Sequence, residues 1–234
     1  MLRNLGIGQG SAVLEGGCGN GIAIGEVLDI VGPKGRIVGI DPTEAFIEAA
    51  RTRAVQLKAG NAQYEVGDIR KLPYRTNEFD AAFCDKVLIH AGPPQAALSE
   101  LVRVTRPKGR VGVVDWLPFF ALSATHPDIT DAFNAIFRKS TYDYYVSANL
   151  TRHLHAAGLA DVEVRGFLAH TDSLDGHPFW RAFIVDQAPM FVQAGLIGEK
   201  MSQELLQDLN ALNEKGEFSA SFVVQCAVAS KPGT

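Results

Sequence analysis

Val13-Leu14-Glu15-Gly16-Gly17-Cys18-Gly19-Asn20-Gly21 runs from an apolar strand candidate into a turn with four glycines, and helical period follows. Glycine has no Cβ and tolerates positive φ, so such a turn lets a ligand approach the backbone closely. It also aims the free amides of a helix N-terminus at whatever binds there. The spacing narrows the ligand. A dinucleotide fingerprint needs G-x-G-x-x-G, but counted from Gly17 its third position is Ile22, and from Gly19 it is Ile24. A Walker-type phosphate loop ends in Gly-Lys-Ser/Thr, whereas Gly21 is followed by Ile22. What stands is E-x-G-x-G-x-G on Glu15, Gly17, Gly19 and Gly21. A carboxylate at the strand end repels a pyrophosphate and suits a ligand carrying positive charge.

Outward from this turn, short apolar runs alternate with longer segments of helical period, the pattern of a parallel sheet with crossover helices. Strands are predicted at 12–15, 36–40, 62–66, 79–84 and 110–114, with helices near 21–31, 43–59 and 94–105. The last begins at Pro94, lines up Ala97, Leu98, Leu101 and Val102, and meets Pro107 and Gly109 beyond its end. After Asp115 the rhythm breaks. No clean strand is read from there to about Tyr145; helices are predicted at 127–138, 147–157 and 201–212, and strands at 162–168 and 218–228. No repeat or linker divides the chain. A single domain over residues 1–234 is therefore expected, with 11–115 a cofactor-binding half, 116–200 a cap holding substrate-binding elements and the sixth strand, and 201–234 a final helix and strand.

The 234 residues are 47% apolar and 21% charged, enough for one sizeable core and incompatible with disorder or a fibrous repeat. With 22 basic against 26 acidic side chains the chain lacks the positive charge that grips a polyanion, which argues against nucleic acid as a partner. Cys18, Cys84 and Cys226 are odd in number and widely spaced, so a reduced compartment is expected rather than a disulfide framework. Neither a signal sequence nor an apolar run long enough to span a membrane is read, and a cytoplasmic location is expected. A metal site has little support: His153 and His155 are two apart on a predicted helix and point to different faces.

Further acids follow the glycine turn in order. Ile37-Val38-Gly39-Ile40-Asp41 ends the second strand with a carboxylate about 20 residues beyond the glycines, placed to accept both hydroxyls of a ribose. Asp41 also precedes Pro42-Thr43, a good capping position for the next helix. Glu65-Val66-Gly67-Asp68-Ile69 places Asp68 just past the third strand, and Phe79-Asp80-Ala81-Ala82-Phe83-Cys84-Asp85-Lys86-Val87-Leu88-Ile89-His90 carries the fourth strand into its turn. Arg103-Val104-Thr105-Arg106-Pro107-Lys108-Gly109-Arg110-Val111 precedes strand five.

Together these segments resemble the class I S-adenosylmethionine-dependent methyltransferases, in the style of the ubiquinone/menaquinone-type small-molecule enzymes. The likeness is firm over roughly residues 11–115 and looser to the end, with Lys108 standing where the family commonly has glycine. It implies a doubly wound, mostly parallel α/β sheet of seven strands in the order 3-2-1-4-5-7-6, the last antiparallel, with a helical cap. It implies S-adenosylmethionine as cofactor and S-adenosylhomocysteine as product. On this likeness Glu15, Gly16, Gly17, Cys18, Gly19 and Gly21 surround the cofactor from the first turn. Asp41, Pro42 and Phe46 then serve the ribose side, Gly67, Asp68 and Ile69 the adenine, and Cys84, Asp85 and Lys86 the methionine portion.

The acceptor side is read less sharply. Thirteen of the 20 aromatic residues fall between Trp116 and Phe191. Taken singly they read as packing against the sheet edge; as a group they point to an apolar pocket. Trp116, Phe119, Phe120, Tyr142, Tyr144 and Trp180 are the substrate-binding candidates, for a small-molecule acceptor methylated on O, N or C. His90 and Asp115 are the candidate bases because they follow strands four and five, with His126, Tyr142 and Tyr144 of the cap as further candidates. Without a catalytic role, His90 would be a capping or core imidazole and Asp115 a structural acid. Only 14 residues precede Glu15, where the family has a longer lead-in, which leaves shielding to the cap or to a second subunit in a homodimer. Three other readings compete: an NAD-dependent oxidoreductase, which would share Asp41 but give Asp68 no role; a nucleic-acid methyltransferase, whose [DN]-P-P-[YF] motif is absent after strand four; and a non-catalytic relic.

Overall fold

The apolar runs of the first half lose nearly all exposure and pair side by side in the computed structural model, which describes residues 1–123, 127–140, 142–143, 145–176, 178–186 and 188–233. β1 (Ala12–Gly16) lies between β2 (Arg36–Asp41) and β4 (Phe79–Asp85), parallel to both, and β3 (Ala62–Val66) pairs with the outer side of β2. Val13, Leu14, Ile37, Val38, Ala81 and Ala82 are fully buried, as expected of parallel strands covered on both faces. α1 (Ile24–Val31), α2 (Glu44–Gln56) and α3 (Pro94–Val104) form the connections, and α3 buries Ala97, Leu98, Leu101 and Val104.

β5 (Thr105–Leu122) runs parallel to β4, and β7 (Ala220–Ser230) and β6 (Ala160–Thr171) complete the order β3-β2-β1-β4-β5-β7-β6. β7 is antiparallel to β5: the amide of Lys108, early in β5, donates to Lys231 at 3.0 Å, and that of Ser123, past its other end, donates to Ser219 at 2.7 Å. The expected seven strands and their order are present.

The chain forms two compact units, Met1–Asp115 with Tyr145–Arg165 and Gln225–Thr234, and Trp116–Tyr144 with Gly166–Val224. In the second unit Trp116, Phe120 and Trp180 pack around Phe222, with ring centroids 5.1–5.7 Å from it for Trp180, Phe120 and Trp116. α4 (Pro127–Ser140) supplies Asn134, whose side-chain amide pairs with both backbone groups of Phe120 at 2.8 and 2.9 Å. α6 (Pro178–Ile184), α7 (Ala188–Gln193) and α8 (Glu199–Lys215) follow, and α8 buries Leu205, Leu209 and Leu212.

Four elements differ from the sequence-based expectation. β5 continues to Leu122 instead of ending near Val114. Pro118 reads as a strand breaker, but Asn134 and the Thr130 hydroxyl supply side-chain partners to the backbone of Phe120 and Leu122. The helix predicted at 147–157 divides into a 3-10 turn, Ser147–Asn149, and α5 (Leu150–Ala156). α6 and α7, at seven and six residues, are too short to show a period. No helix among the described residues is long and apolar enough to cross a membrane.

Candidate active site

The glycine turn is held at the carboxyl ends of β1 and β2, where the amides of Gly17 and Cys18 donate to Ile40 at 2.7 and 3.0 Å. Gly17 has φ +70°, and a Cβ there would come within 2.3 Å of Val87. Gly19 has φ +51° with nothing within 4 Å of its missing Cβ, so its backbone faces open space that a ligand can enter. Asp41 ties this turn to the next helix: Oδ2 accepts the Gly19 amide at 3.0 Å and Oδ1 the Thr43 amide at 2.9 Å. The capping and ligand readings of Asp41 are thus compatible, because each carboxylate oxygen retains a further lone pair.

A cleft of about 570 Å³ opens beside this turn, within the range of small-molecule sites. Gly17, Gly19, Asp41, Pro42 and Phe46 line one side, and Asp68, Ile69, Asp85, Lys86 and His90 also line it. Phe46 is 50% exposed, a large apolar ring facing the opening. Glu15 lines a second, adjoining hollow of about 370 Å³ that shares Gly17, Gly19, Asp85 and Lys86 with the first. Cys18 also lines this second hollow.

Burial dominates the charges here. Glu15 is 4% exposed, its Oε2 has no hydrogen-bond partner among the described residues, and desolvation, then the negative charges of Asp85 and Asp41, raise its carboxyl to about 8 against relief from Lys86. Burial, then Glu15 and Asp41, pushes the Cys18 thiol well above its ordinary range, and burial does the same to Cys84. Neither is a ready thiolate. Lys86 carries φ +58°, donates its amide to Val114 at 2.7 Å and reaches Asp85 Oδ1 with Nζ at 2.7 Å. No group of three or more His, Cys, Asp or Glu among the described residues can hold a metal ion.

Arg70, which no sequence motif singles out, faces the same cleft. Its guanidinium grips Asp68 through Nε at 3.0 Å and Nη2 at 2.6 Å, and its Nη1 donates to the Gly92 carbonyl at 2.9 Å. That fork holds the Asp68 carboxyl below its usual range and joins the end of β3 to the segment after β4. The proximity of Arg70 to Asp68 is visible in sequence; the third contact depends on tertiary structure.

The candidate bases separate. His90 lines the cleft, and desolvation lowers its pKa below the ordinary 6.5, leaving a neutral imidazole at pH 7. Asp115 is fully buried, and its Oδ2 accepts the Ile89 amide at 3.0 Å, bracing the turn that carries His90. That geometry sets Asp115 against the backbone of the turn, the structural-acid reading of this residue. Asp115→Asn, which keeps an acceptor oxygen, is expected to retain turnover, whereas Asp115→Ala strands a buried amide and costs about 1–3 kcal/mol. Urea unfolding and a turnover assay check both; a well-folded Asp115→Asn without activity would return the residue to the chemistry.

The aromatic candidates are likewise redistributed. Trp116, Phe120 and Trp180 are 6%, 1% and 6% exposed and pack around Phe222. Tyr142 is 65% exposed. His126 and Tyr144 lie outside the described residues, as does the side chain of Phe119.

Known proteins resemble this chain in sequence and in fold. A 37.1 kDa uncharacterised protein from a Streptomyces fradiae transposon is 39% identical over 131 residues, covering 55% of this chain and 36% of that protein. The chain thus spans little more than a third of that relative. Staphylococcus aureus demethylmenaquinone methyltransferase is 26% identical over 183 residues, 71% of this chain and 75% of the enzyme. Among solved structures, the Bacillus YcgJ protein superposes with a TM-score of 0.69 at 18% identity over 100% and 97% of the two chains. Haemonchus contortus phosphoethanolamine N-methyltransferase 2, solved with S-adenosyl-L-methionine, gives 0.62 at 15% identity over 99% of this chain and 51% of that one. The family described as "Methyltransferase domain" matches residues 7–155, the span that holds the glycine turn, the cleft of about 570 Å³ and the His90 segment. This chain belongs to that methyltransferase family.

Proposed function

We propose that the chain transfers a methyl group from S-adenosylmethionine to an O, N or C nucleophile of a small-molecule acceptor. The observation that carries this is the convergence at the sheet's carboxyl edge of Asp41, Asp68 and the bare backbone of Gly19 on one cleft, with Glu15 beside it. The residues fit the cofactor: a carboxylate with spare lone pairs for a ribose, an unpartnered buried carboxyl for an ammonium group, and a neighbouring apolar ring at Phe46. The Staphylococcus relative, named as acting on demethylmenaquinone, supports an apolar ring-bearing acceptor.

S-adenosylmethionine supplies an already activated methyl group on a sulfonium. What remains for the protein is to hold two ligands in register and exclude water, since in-line displacement tolerates little misalignment. In this reading Asp41 fixes the nucleoside, while Asp68 and Arg70 form the adenine wall. Arg70 already occupies much of the Asp68 carboxylate, so the base is read in part by the backbone around Ile69. His90 takes a proton from an acceptor hydroxyl or ammonium, a role its neutral imidazole permits.

His90→Ala is expected to lower kcat about 10²-fold or more while leaving cofactor affinity nearly unchanged. The acid limb of the wild-type kcat profile should fall below pH 6.5, because the imidazole must be unprotonated. An unchanged rate would mean that no base is needed there. The function itself is tested by offering methyl-tritiated S-adenosylmethionine with phenols, amines and prenylated quinols. Label in an acceptor supports the reading; failure of the cofactor to bind overturns it.

A further inference from the structure

In the hollow beside the glycine turn, the carboxyl proposed above to meet the cofactor's ammonium group has no counter-charge of its own in the free protein. Glu15 is enclosed with one carboxyl oxygen unpartnered, although it lies opposite Gly39 and Phe83 in the sheet register and not against a cation. Charged and titratable groups approach it from several elements. From the end of β4 come Asp85 and Lys86, which are paired with each other at 2.7 Å, and from the end of β2 comes Asp41. Cys18 from the turn and Tyr64 from β3 also feel its charge, and Glu26 of α1 and Met1 line the same hollow. The Tyr64 hydroxyl, also buried and unpartnered, sits where a Cβ on Gly21 would come within 3.1 Å. Lys86 is the only positively charged side chain among the described residues lining this hollow, and it is already shared with Asp85. An ionised Glu15 would therefore add a further carboxylate to a site whose one lysine is committed.

We infer that Glu15 is held as a neutral acid until the cofactor arrives, and that entry of the ligand's α-ammonium group into this hollow expels the Glu15 proton to solvent. The O–H bond of the carboxyl breaks, its proton passes to buffer, and the ammonium keeps its own proton as counterion to the new carboxylate. Uptake of the cofactor and ionisation of Glu15 are then one event, and cofactor affinity rises with pH as long as the free protein holds that proton. This inference rests on the function proposed above.

Two properties make pH 6.5 the informative condition. The carboxyl, raised to about 8, is almost fully protonated there, and a ligand α-amino group with pKa of about 8 is almost fully charged. Titration calorimetry with S-adenosylhomocysteine in buffers of different ionisation enthalpy counts the protons released. Wild-type protein should release close to one proton per ligand at pH 6.5 and bind about tenfold tighter at pH 7 than at pH 6. Glu15→Gln should release close to none and lose that slope, while His90, which faces the adjoining cleft, remains in both proteins as an internal control.

Folding gives a second readout. A carboxyl held above its ordinary 4.5 makes the fold lose stability between pH 4.5 and 8, because the unfolded chain ionises first. Glu15→Gln should therefore match the wild type near pH 4 and melt at a higher temperature near pH 8. Equal proton release by both proteins, or parallel melting curves across that range, overturns the inference and leaves the functional reading intact. No binding of S-adenosylhomocysteine to wild-type protein removes both.

Discussion

Asp41→Ala is expected to weaken binding of S-adenosylhomocysteine about 10- to 100-fold, the equivalent of about 1.5–3 kcal/mol for a lost pair of charge-assisted hydrogen bonds. The same change strands the Gly19 and Thr43 amides that now donate to Asp41 at 3.0 and 2.9 Å. Stability should therefore fall by about 1–2 kcal/mol as well, the usual scale for a lost capping acceptor. Asp41→Asn separates the two contributions. It keeps one acceptor oxygen for the backbone and loses the charge, so it should recover part of the stability while leaving affinity well below wild type. Calorimetric titration and thermal melting on the three proteins read this directly. Wild-type affinity in a less stable Asp41→Ala protein would reduce the residue to a brace for the turn.

Gly17→Ala should be strongly damaging, because strain and collision fall together at this position. An L-residue at φ +70° costs about 1–2 kcal/mol, and the new Cβ would lie 2.3 Å from Val87 Cγ2, with overpacking of about 1–3 kcal/mol added. Both costs fall on the wall shared by the two hollows, so cofactor affinity should fall together with stability. The double variant Gly17→Ala/Val87→Ala relieves the collision but not the backbone strain, and should recover part of the melting temperature. Full recovery would show that the positive φ carries no cost. No recovery would show that Val87 is not the obstacle, contrary to the packing described above.

Much of the first unit is legible before any coordinates because β1, β2 and β4 are buried and carry apolar runs; Val13-Leu14 and Ala81-Ala82 need no partner to be recognised. Glu15 and Asp41 are equally visible, since each stands at the carboxyl end of such a run, and Asp68 just past the third strand. Their commitments are not visible. That Asp41 holds the Gly19 amide is a contact across 22 residues, and that Arg70 reaches Gly92 is another across 22. No local pattern encodes either. Nor does the sequence show that Glu15 faces a hollow of its own while Asp41 and Asp68 share the neighbouring one.

The aromatic residues of the second unit show the converse problem. Their clustering between Trp116 and Phe191 reads equally as a pocket or a core, and composition cannot distinguish them. Phe222, far outside the cluster in sequence, supplies the ring around which Trp116, Phe120 and Trp180 close. Likewise Pro118 hides the continuation of β5, because the Asn134 side chain that pairs with Phe120 lies 14 residues further on.

A crystal structure of the protein soaked with S-adenosylhomocysteine tests the central claim most directly. The account predicts the ribose hydroxyls against Asp41, the purine beside Ile69 and Arg70, and the amino-acid end turned toward Glu15. Density for the nucleoside at any other place on the protein, or in this cleft with its ribose turned away from Asp41, would contradict it.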